Sequence, residues 1–146
     1  MTKNERNKVY LRKNSAEGKL VADSKYKTKR ILAKAGVGVP KLIARFKDEE
    51  AVERFEWEKL EGNFVVKPVS GYGGEGIVII RRKGRKPEEW QKMNGEAVRT
   101  EDLKQHCKEI LAGKYSLRGM ADSVILEERI KIHPMFLSLT RAGTPD

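Results

Sequence analysis

The sequence predicts an α+β fold, and three observations support that class. Two segments with helical spacing of apolar residues lie in the first part of the chain. Two β-rich segments then flank a glycine-rich loop, and a third helical segment precedes a last β-rich one. Helices and strands segregated in this way are typical of α+β domains. The length of 146 residues corresponds to one domain.

The amino-terminal part is predicted to contain one clear helix. Residues 1–22 are polar and lack periodicity, although the segment KVYLR within them is compatible with a short strand. Asp23 or Ser24 can cap a helix that runs to about Ala35, and Gly36 is placed to end it. The apolar residues of this helix lie on one face: Thr28, Ile31, Leu32 and Ala35.

A strand and a second helix are predicted next. The segment VGVPKLIARF forms a turn and a strand, because Pro40 biases the residue before it away from helical conformation. Asp48 is a suitable cap for the second helix, and Gly62 is its predicted end. The inward-facing residues of this helix are Ala51, Val52 and Phe55.

The remaining elements surround and follow the glycine-rich loop. The segments NFVVKP and IVIIRR are predicted strands on either side of it, and KGRKPEEWQKMNGEA is a polar excursion. A third helix begins at Thr100 and closes at Gly113, and SVILEERI forms the last strand. The apolar stripe of the third helix comprises Leu103, Cys107, Ile110 and Leu111.

Charge is concentrated at the amino-terminal end. The chain carries 31 Lys and Arg against 21 Asp and Glu, and the excess lies almost entirely in residues 1–47. Such a basic region suggests an anionic partner, namely nucleic acid, anionic lipid or a phosphorylated ligand, although a solvated basic face is the simpler interpretation. No apolar run is long enough for a membrane span, and no signal peptide is evident, which predicts a cytoplasmic protein. The single cysteine excludes a disulfide framework.

The glycine-rich loop, GYGGEGIV at residues 71–78, matches the pattern G-x-G-x-x-G. A dinucleotide fingerprint is excluded, because β-branched residues follow the glycines where a helix should begin. A Walker loop would end in Gly-Lys-Ser/Thr, and a protein kinase would carry H-R-D and D-F-G motifs. What remains is a glycine hairpin over phosphates with Lys67 upstream, because glycines let backbone N–H groups approach phosphate oxygens and lysine adds a charge.

The segment FVVKPVSGYGGEGI resembles the glycine-rich loop of ATP-grasp enzymes. From about Asp23 to Asp146 the chain resembles one branch of that superfamily, the alpha-L-glutamate ligase-like or sugar-transfer-associated ATP-grasp proteins. Further support comes from ADSKYKTKRILAKAGVGVP, EDLKQHCKEILAGKYSL and VILEERI, which occur in the family's order. The resemblance implies an ATP-grasp fold with a basic segment at 1–22, a first subdomain portion at 23–62, a glycine-loop lid and adenine hinge at 63–130, and the start of a catalytic subdomain at 131–146.

The resemblance also implies roles for single residues in binding ATP. Lys29 and Lys67 correspond to the two phosphate-contacting lysines. In the hinge, the Glu127 carbonyl would accept from the adenine amino group, Glu128 would lie within the hinge, and the Ile130 N–H would donate to the ring. This pairing requires an edge strand with free main-chain groups. The lid over the phosphates would comprise Ser70, Gly71, Tyr72, Gly73, Gly74 and Gly76.

The implied activity is that of a carboxylate–amine ligase, in which ATP phosphorylates a carboxylate and an amine then attacks the acyl phosphate. The carboxylate and the amine are not identified. Magnesium would be required, but its ligands in this family follow a GxPD segment that the terminal AGTPD resembles. We therefore expect the carboxy-terminal catalytic half to be absent and this chain alone to be inactive. Two alternatives stay open, a basic nucleic-acid-binding module and a nucleotide-binding regulator without turnover.

Several other residues are predicted to have structural roles. Cys107 lies on an apolar helical stripe and is predicted to be a core residue. His106 lies on a mostly charged helix and is predicted to be on the surface. Trp57 and Trp90 are not predicted to form a base-stacking platform. The basic run at residues 81–86 is predicted to be a solvated hairpin end that could bind a polyanion weakly.

Overall fold

A computed structural model describes residues 8–10, 12–116, 119–131 and 133–135. The chain divides into two compact units, Met1–Val39 and Pro40–Asp146. Most of the predicted segment at 131–146 lies outside the described residues, and the four-segment division proposed from the resemblance stays a prediction. The combination of helices with an antiparallel sheet confirms the α+β class.

The first unit is helical where it is described. Residues 8–10 and 12–13 are helical, and α1 (Ala16–Ala22) and α2 (Lys25–Lys34) follow. The strand predicted over KVYLR is therefore wrong. A lone strand leaves its N–H and C=O groups without a ladder partner, whereas a helix satisfies them within the segment.

The boundaries predicted for α2 are confirmed. The Ser24 hydroxyl accepts a hydrogen bond from the Lys27 N–H at 3.3 Å, and Gly36 adopts a positive φ of 75° just beyond the helix end. All of α2 lies in the described part of the chain, and none of its residues is buried. Its apolar face, which includes the exposed Ile31 and Leu32, is therefore not a core face in this structure.

The second unit is built on an antiparallel sheet. Its described strands have the order β1-β6-β2-β3-β4-β5, so that the last strand is inserted between the first two. The strands are β1 (Leu42–Phe46), β2 (Phe64–Pro68), β3 (Val78–Lys83), β4 (Glu89–Lys92), β5 (Ala97–Arg99) and β6 (Val124–Glu128).

The second predicted helix is shorter than expected. Asp48 caps α3 (Glu49–Arg54) by accepting from the Ala51 N–H at 2.8 Å, as predicted. The helix ends at Arg54 rather than near Gly62, and a short 3₁₀ turn (Trp57–Lys59) follows. Phe55 takes an extended conformation there and forms edge-to-face contacts with Phe46 and Trp57 at 5.2 and 5.3 Å between ring centroids. This aromatic packing replaces further helical turns.

The segment predicted as a polar excursion forms the β4–β5 hairpin. Trp90 pairs with Val98, and the turn contains Gly95 at a φ of 91°. The Asn94–Gly95 dipeptide is a strong hairpin signal that the sequence prediction did not use. Trp90 is fully buried, and its ring meets Phe64 edge-to-face at 5.1 Å. Because the neighbours of Trp90 in the sequence are polar, Trp90 was not predicted to be a core residue.

The core lies between one face of the sheet and the helices α3 and α4 (Thr100–Leu111). The stripe predicted for α4 is confirmed, since Leu103, Cys107 and Ile110 are buried. Burial raises the pKa of the Cys107 thiol to about 12, which is consistent with a packing role. Among the described residues, the buried residues that pack together in this core are Phe46, Val52, Trp57, Phe64, Val66, Ile80, Trp90, Leu103, Cys107, Ile110, Val124 and Leu126.

Surface features bear on two earlier expectations. Among the described residues, no helix has the length and apolar character needed to cross a bilayer. In the basic run at residues 81–86, which begins within β3, Arg82 donates to Gln91 at 2.7 Å and Lys83 donates to the Glu58 carbonyl at 2.7 Å. Two cations of this run are thus engaged within the protein, and polyanion binding there stays a prediction.

Candidate functional site

Lys67 lies on the sheet face opposite the helices. Phe64 and Val66 of β2 point into the core, so the alternation of a strand places Lys67 on the other face. The register pairs Val65 with Glu127 and Lys67 with Ile125, which makes Lys67 and Glu127 diagonal neighbours. The Lys67 ammonium forms an ion pair with the Glu127 carboxylate.

This ion pair is largely removed from solvent. Glu127 is 3% exposed, and the Lys67 side chain is 21% exposed. A buried carboxylate is costly without a cation, so Glu127 depends on Lys67, while Lys67 keeps an accessible fraction for a second anion. The sequence prediction assigned Glu127 only a main-chain role. Its side-chain role depends on the β2–β6 register, which joins residues 60 positions apart and leaves no local signal.

The predicted adenine hinge is not an edge strand, and that expectation is wrong. β6 is hydrogen-bonded on both sides, to β1 and to β2. The Glu128 N–H donates to the Lys41 carbonyl at 2.9 Å, and the Arg129 N–H donates to the Asn63 carbonyl at 2.8 Å. Hydrogen-bonded pairs alternate along an antiparallel ladder, so Glu127, two residues before Arg129, also faces β2 with its carbonyl.

The amino-terminal end of the glycine-rich loop is fixed to the segment before β6. The Ser70 N–H donates to the Asp122 carboxylate at 2.8 Å, and the Val69 N–H donates to the Ser123 carbonyl at 2.9 Å. Gly71 forms an isolated β-bridge with Ser116. A Cβ atom at Gly71 would lie 2.3 Å from the Pro68 ring, so glycine is required there by packing. The Ser70 amide, predicted to face phosphate, is already engaged.

The carboxy-terminal end of the loop is fixed to α4 and the residues after it. The Gly76 carbonyl lies 2.9 Å from His106 Nε2. Gly76 has a φ of 72°, and a Cβ atom there would lie 2.7 Å from Cγ of the Tyr115 ring. His106 is half-buried, so its predicted surface position is wrong. The prediction failed because the partner of His106 is a main-chain carbonyl from a distant loop, which has no side-chain signature.

The tip of the loop, residues 72–75, is open by comparison. Gly73 and Gly74 adopt positive φ angles of 62° and 78°, and a Cβ atom at either would meet nothing within 4 Å. Tyr72 is exposed, and its carbonyl accepts from the Glu75 N–H at 3.1 Å. Backbone N–H groups in such turn conformations form concavities that bind anions. The tip therefore has the conformation and the access expected of a phosphate-binding loop.

The structure brings most of the predicted site residues into the second unit. Lys67, the loop and the hinge residues Glu127, Glu128 and Ile130 all belong to Pro40–Asp146. Lys29 lies on α2 in the first unit, and its contribution to the same site stays a prediction. Ile130 follows β6 and is strongly exposed.

The described residues fit a nucleotide better than a metal ion. The Lys67 ammonium and the open tip amides are groups that bind phosphate oxygens. Within residues 8–135, leaving aside the undescribed positions 11, 117, 118 and 132, no three His, Cys, Asp or Glu side chains cluster as a metal site.

Comparison with known proteins identifies the family of the chain. The family model for sugar-transfer associated ATP-grasp proteins matches residues 4–146. No match was found among curated proteins or among solved structures. The match spans nearly the whole chain and confirms the resemblance inferred from the glycine-rich loop and the segments around it. The chain belongs to the sugar-transfer associated ATP-grasp family, and it is an ATP-grasp module of the ATP-binding, ligase-like kind.

Proposed function

We propose that the second unit binds the phosphates of ATP between Lys67 and the tip of the glycine-rich loop. The observation that carries this proposal is the position of Lys67. It lies on the sheet face opposite the core, next to the first anchored end of the loop, and it keeps an accessible fraction despite its partner Glu127. A lysine held by a buried carboxylate is ordered before the ligand arrives, which lowers the entropic cost of binding.

We assign two roles to the loop residues, binding phosphate and holding the loop ends. The tip amides, at Tyr72, Gly73 and Gly74, would donate to phosphate oxygens, because they lie in the open part of the loop. Ser70, Gly71 and Gly76 would hold the loop ends, since their contacts to the body of the unit are already made. Lys29 would supply a second cation in this scheme.

The adenine contact would lie just beyond β6. The N–H groups of Glu128 and Arg129 are engaged within the protein, so an adenine edge would need other main-chain groups at the end of β6. We assign the acceptor to the Glu128 carbonyl and the donor to the Ile130 N–H. Glu127 then contributes through its side chain, as the counter-ion of Lys67.

The reaction that this binding would serve is carboxylate–amine ligation, with phosphorylation of a carboxylate followed by attack of an amine. The described residues contribute nucleotide binding and orientation, and positioning is a large part of the rate of phosphoryl transfer. No side-chain nucleophile is required. The identities of the carboxylate and the amine substrates are not assigned.

The test is a calorimetric titration of ATP and ADP into wild type and a charge-neutral pair variant. Lys67→Met is combined with Glu127→Gln so that both charges of this ion pair are removed together. We expect the double variant to bind roughly ten- to a hundredfold more weakly, because a charge-assisted contact contributes about 1.5–3 kcal/mol.

Lys92→Met is the matched control, since Lys92 also lies on a strand and forms an ion pair, with the exposed Glu96 at 3.2 Å. It should bind nucleotide as the wild type does. Equal affinity of the wild type and the folded double variant would contradict the proposed role of Lys67.

A further inference from the structure

His106 makes a contact that the proposed function does not use. It lies on α4, and its ring nitrogen Nε2 is 2.9 Å from the Gly76 carbonyl at the end of the glycine-rich loop. A carbonyl oxygen can only accept a hydrogen bond, so Nε2 must carry the hydrogen. The other ring nitrogen, Nδ1, faces the Tyr115 hydroxyl at 3.5 Å.

The Tyr115 hydroxyl has a better acceptor than His106. Its oxygen lies 3.0 Å from the Glu109 carboxylate. Hydrogen bonds from Lys114 and from Tyr115 lower the pKa of Glu109, so this carboxylate is ionised and accepts. Burial raises the pKa of Tyr115, and the hydroxyl keeps its hydrogen. The one hydroxyl hydrogen is therefore directed to Glu109.

These contacts fix the orientation of the His106 ring. Nε2–H donates to the Gly76 carbonyl, Nδ1 lies beside the Tyr115 hydroxyl, and Tyr115 donates to Glu109. The N–H donor of the ring is therefore directed at the end of the loop.

The same two rings also enclose Gly76. The rings of His106 and Tyr115 lie 5.3 Å apart between centroids, and the Tyr115 ring occupies the space that a Cβ atom of Gly76 would need. The carboxy-terminal end of the loop is thus held by a hydrogen bond to its carbonyl and by contact with its α-carbon. The open tip, residues 72–75, ends immediately before Gly76.

We propose that His106 is a positioning residue for the glycine-rich loop, which it holds through a hydrogen bond to the Gly76 carbonyl. The proposal rests on the assignment of the loop tip to nucleotide phosphates. The His106 ring lies beside the Tyr115 hydroxyl, and that hydroxyl is held in turn by Glu109.

The first test is amide hydrogen exchange of residues 72–77 in the absence of nucleotide, corrected for intrinsic rates. His106→Phe keeps a ring but removes the donor, and His106→Gln restores an N–H donor. Gln105→Ala, at an exposed position on the same helix, is the control. We expect roughly three- to tenfold faster exchange at Gly76 and Ile77 in His106→Phe.

Rescue by glutamine separates positioning from general stability. Gln105→Ala and His106→Gln should keep wild-type protection, because both retain an N–H donor to the Gly76 carbonyl. Identical exchange in wild type and His106→Phe would overturn the proposal, and so would exchange in His106→Gln as fast as in His106→Phe.

The second test measures ADP affinity of the same proteins. If the wild type binds ADP, we expect roughly three- to tenfold weaker binding by His106→Phe and recovery in His106→Gln. Unchanged affinity in His106→Phe would contradict the link from His106 to the ligand. If the wild type binds no nucleotide, the proposed function fails, and the exchange experiment still decides whether His106 holds the loop.

Discussion

The glycines at the ends of the loop and those at its tip share a residue type and differ in what requires it. Gly71 and Gly76 lie against Pro68 and Tyr115, where a side chain would collide with neighbouring atoms. Gly73 and Gly74 have open space around them and are required by a left-handed backbone conformation alone. The ends fasten the loop to the body of the unit, and the tip presents its main chain. A glycine-rich pattern alone does not distinguish these two uses.

The largest effect is expected from Gly76→Ala. The new methyl group would lie 2.7 Å from Cγ of the Tyr115 ring, and the residue would be held at a φ of 72°. Left-handed strain and overpacking together should lower the free energy of unfolding by about 2–4 kcal/mol. Urea denaturation measures this loss of stability. Gly74→Ala is the control, because Gly74 also has a positive φ but a Cβ atom there would meet no neighbouring atom. If the two variants lose the same free energy of unfolding, the glycines at the ends and at the tip of the loop do not differ in the way described.

A smaller effect on stability, with an effect on binding, is expected from Gly73→Ala and Gly74→Ala. Each should lower the free energy of unfolding by about 1–2 kcal/mol from backbone strain alone. Each should also weaken ADP binding several-fold, because the strained tip turns its amides away from their positions. Calorimetric titration at a temperature where both variants are folded makes the comparison. Wild-type affinity in both would indicate that the tip is not the phosphate-binding face.

The amino-terminal anchor is expected to depend on Asp122. Its two carboxylate oxygens accept from the N–H groups of Ser70 and Ser123, at 2.8 and 2.7 Å. Asp122→Ala should lower the free energy of unfolding by about 1–2 kcal/mol, because both donors lose their acceptor. Asp122→Asn, which retains one acceptor oxygen, should lose less. If the alanine variant is as stable as the wild type, the Ser70 end is not an anchor.

The smallest effect is expected from changing Glu53, which links α3 to α4, the helix that carries His106. Hydrogen bonds from Lys104 and Lys108 lower the pKa of Glu53 from 4.5 to about 2, and they tie α3 to α4. Because the folded-state pKa lies below the unfolded one, this pair stabilises the fold above about pH 4.5 and ceases to do so as pH falls towards 2. Glu53→Gln should reduce the loss of stability over that interval in thermal melts. If the stability of Glu53→Gln falls with pH as that of the wild type does, the ion pairs of Glu53 with Lys104 and Lys108 contribute nothing to stability.

Much of the fold was predictable from local sequence signals. The caps at Ser24 and Asp48 and the buried stripe of α4 depend on residues close together in the chain, and all of them were predicted. The β4–β5 hairpin was also predictable from Asn94–Gly95 and was missed, because charged neighbours obscured Trp90. The early end of α3 was not predictable locally, since it depends on packing against Phe46.

The site was predictable to a lesser degree. Lys67 and the loop were found because glycine and lysine have strong chemical preferences. The pairing of Lys67 with Glu127, the interior position of β6 and the contact of His106 with Gly76 all depend on which strands and loops meet in three dimensions. A partner that is a main-chain carbonyl has no sequence signature at all.

The most direct test of the division between anchored ends and open tip is a ¹H–¹⁵N NMR titration with a non-hydrolysable ATP analogue. We expect the largest shift changes at the amides of Tyr72, Gly73 and Gly74, and smaller changes at Ser70 and Gly76, whose contacts to the protein are kept. Glu128 and Ile130 should respond to the analogue and to adenosine alone. Changes confined to the basic run at residues 81–86, or to the first unit, with an unperturbed loop tip would contradict the account.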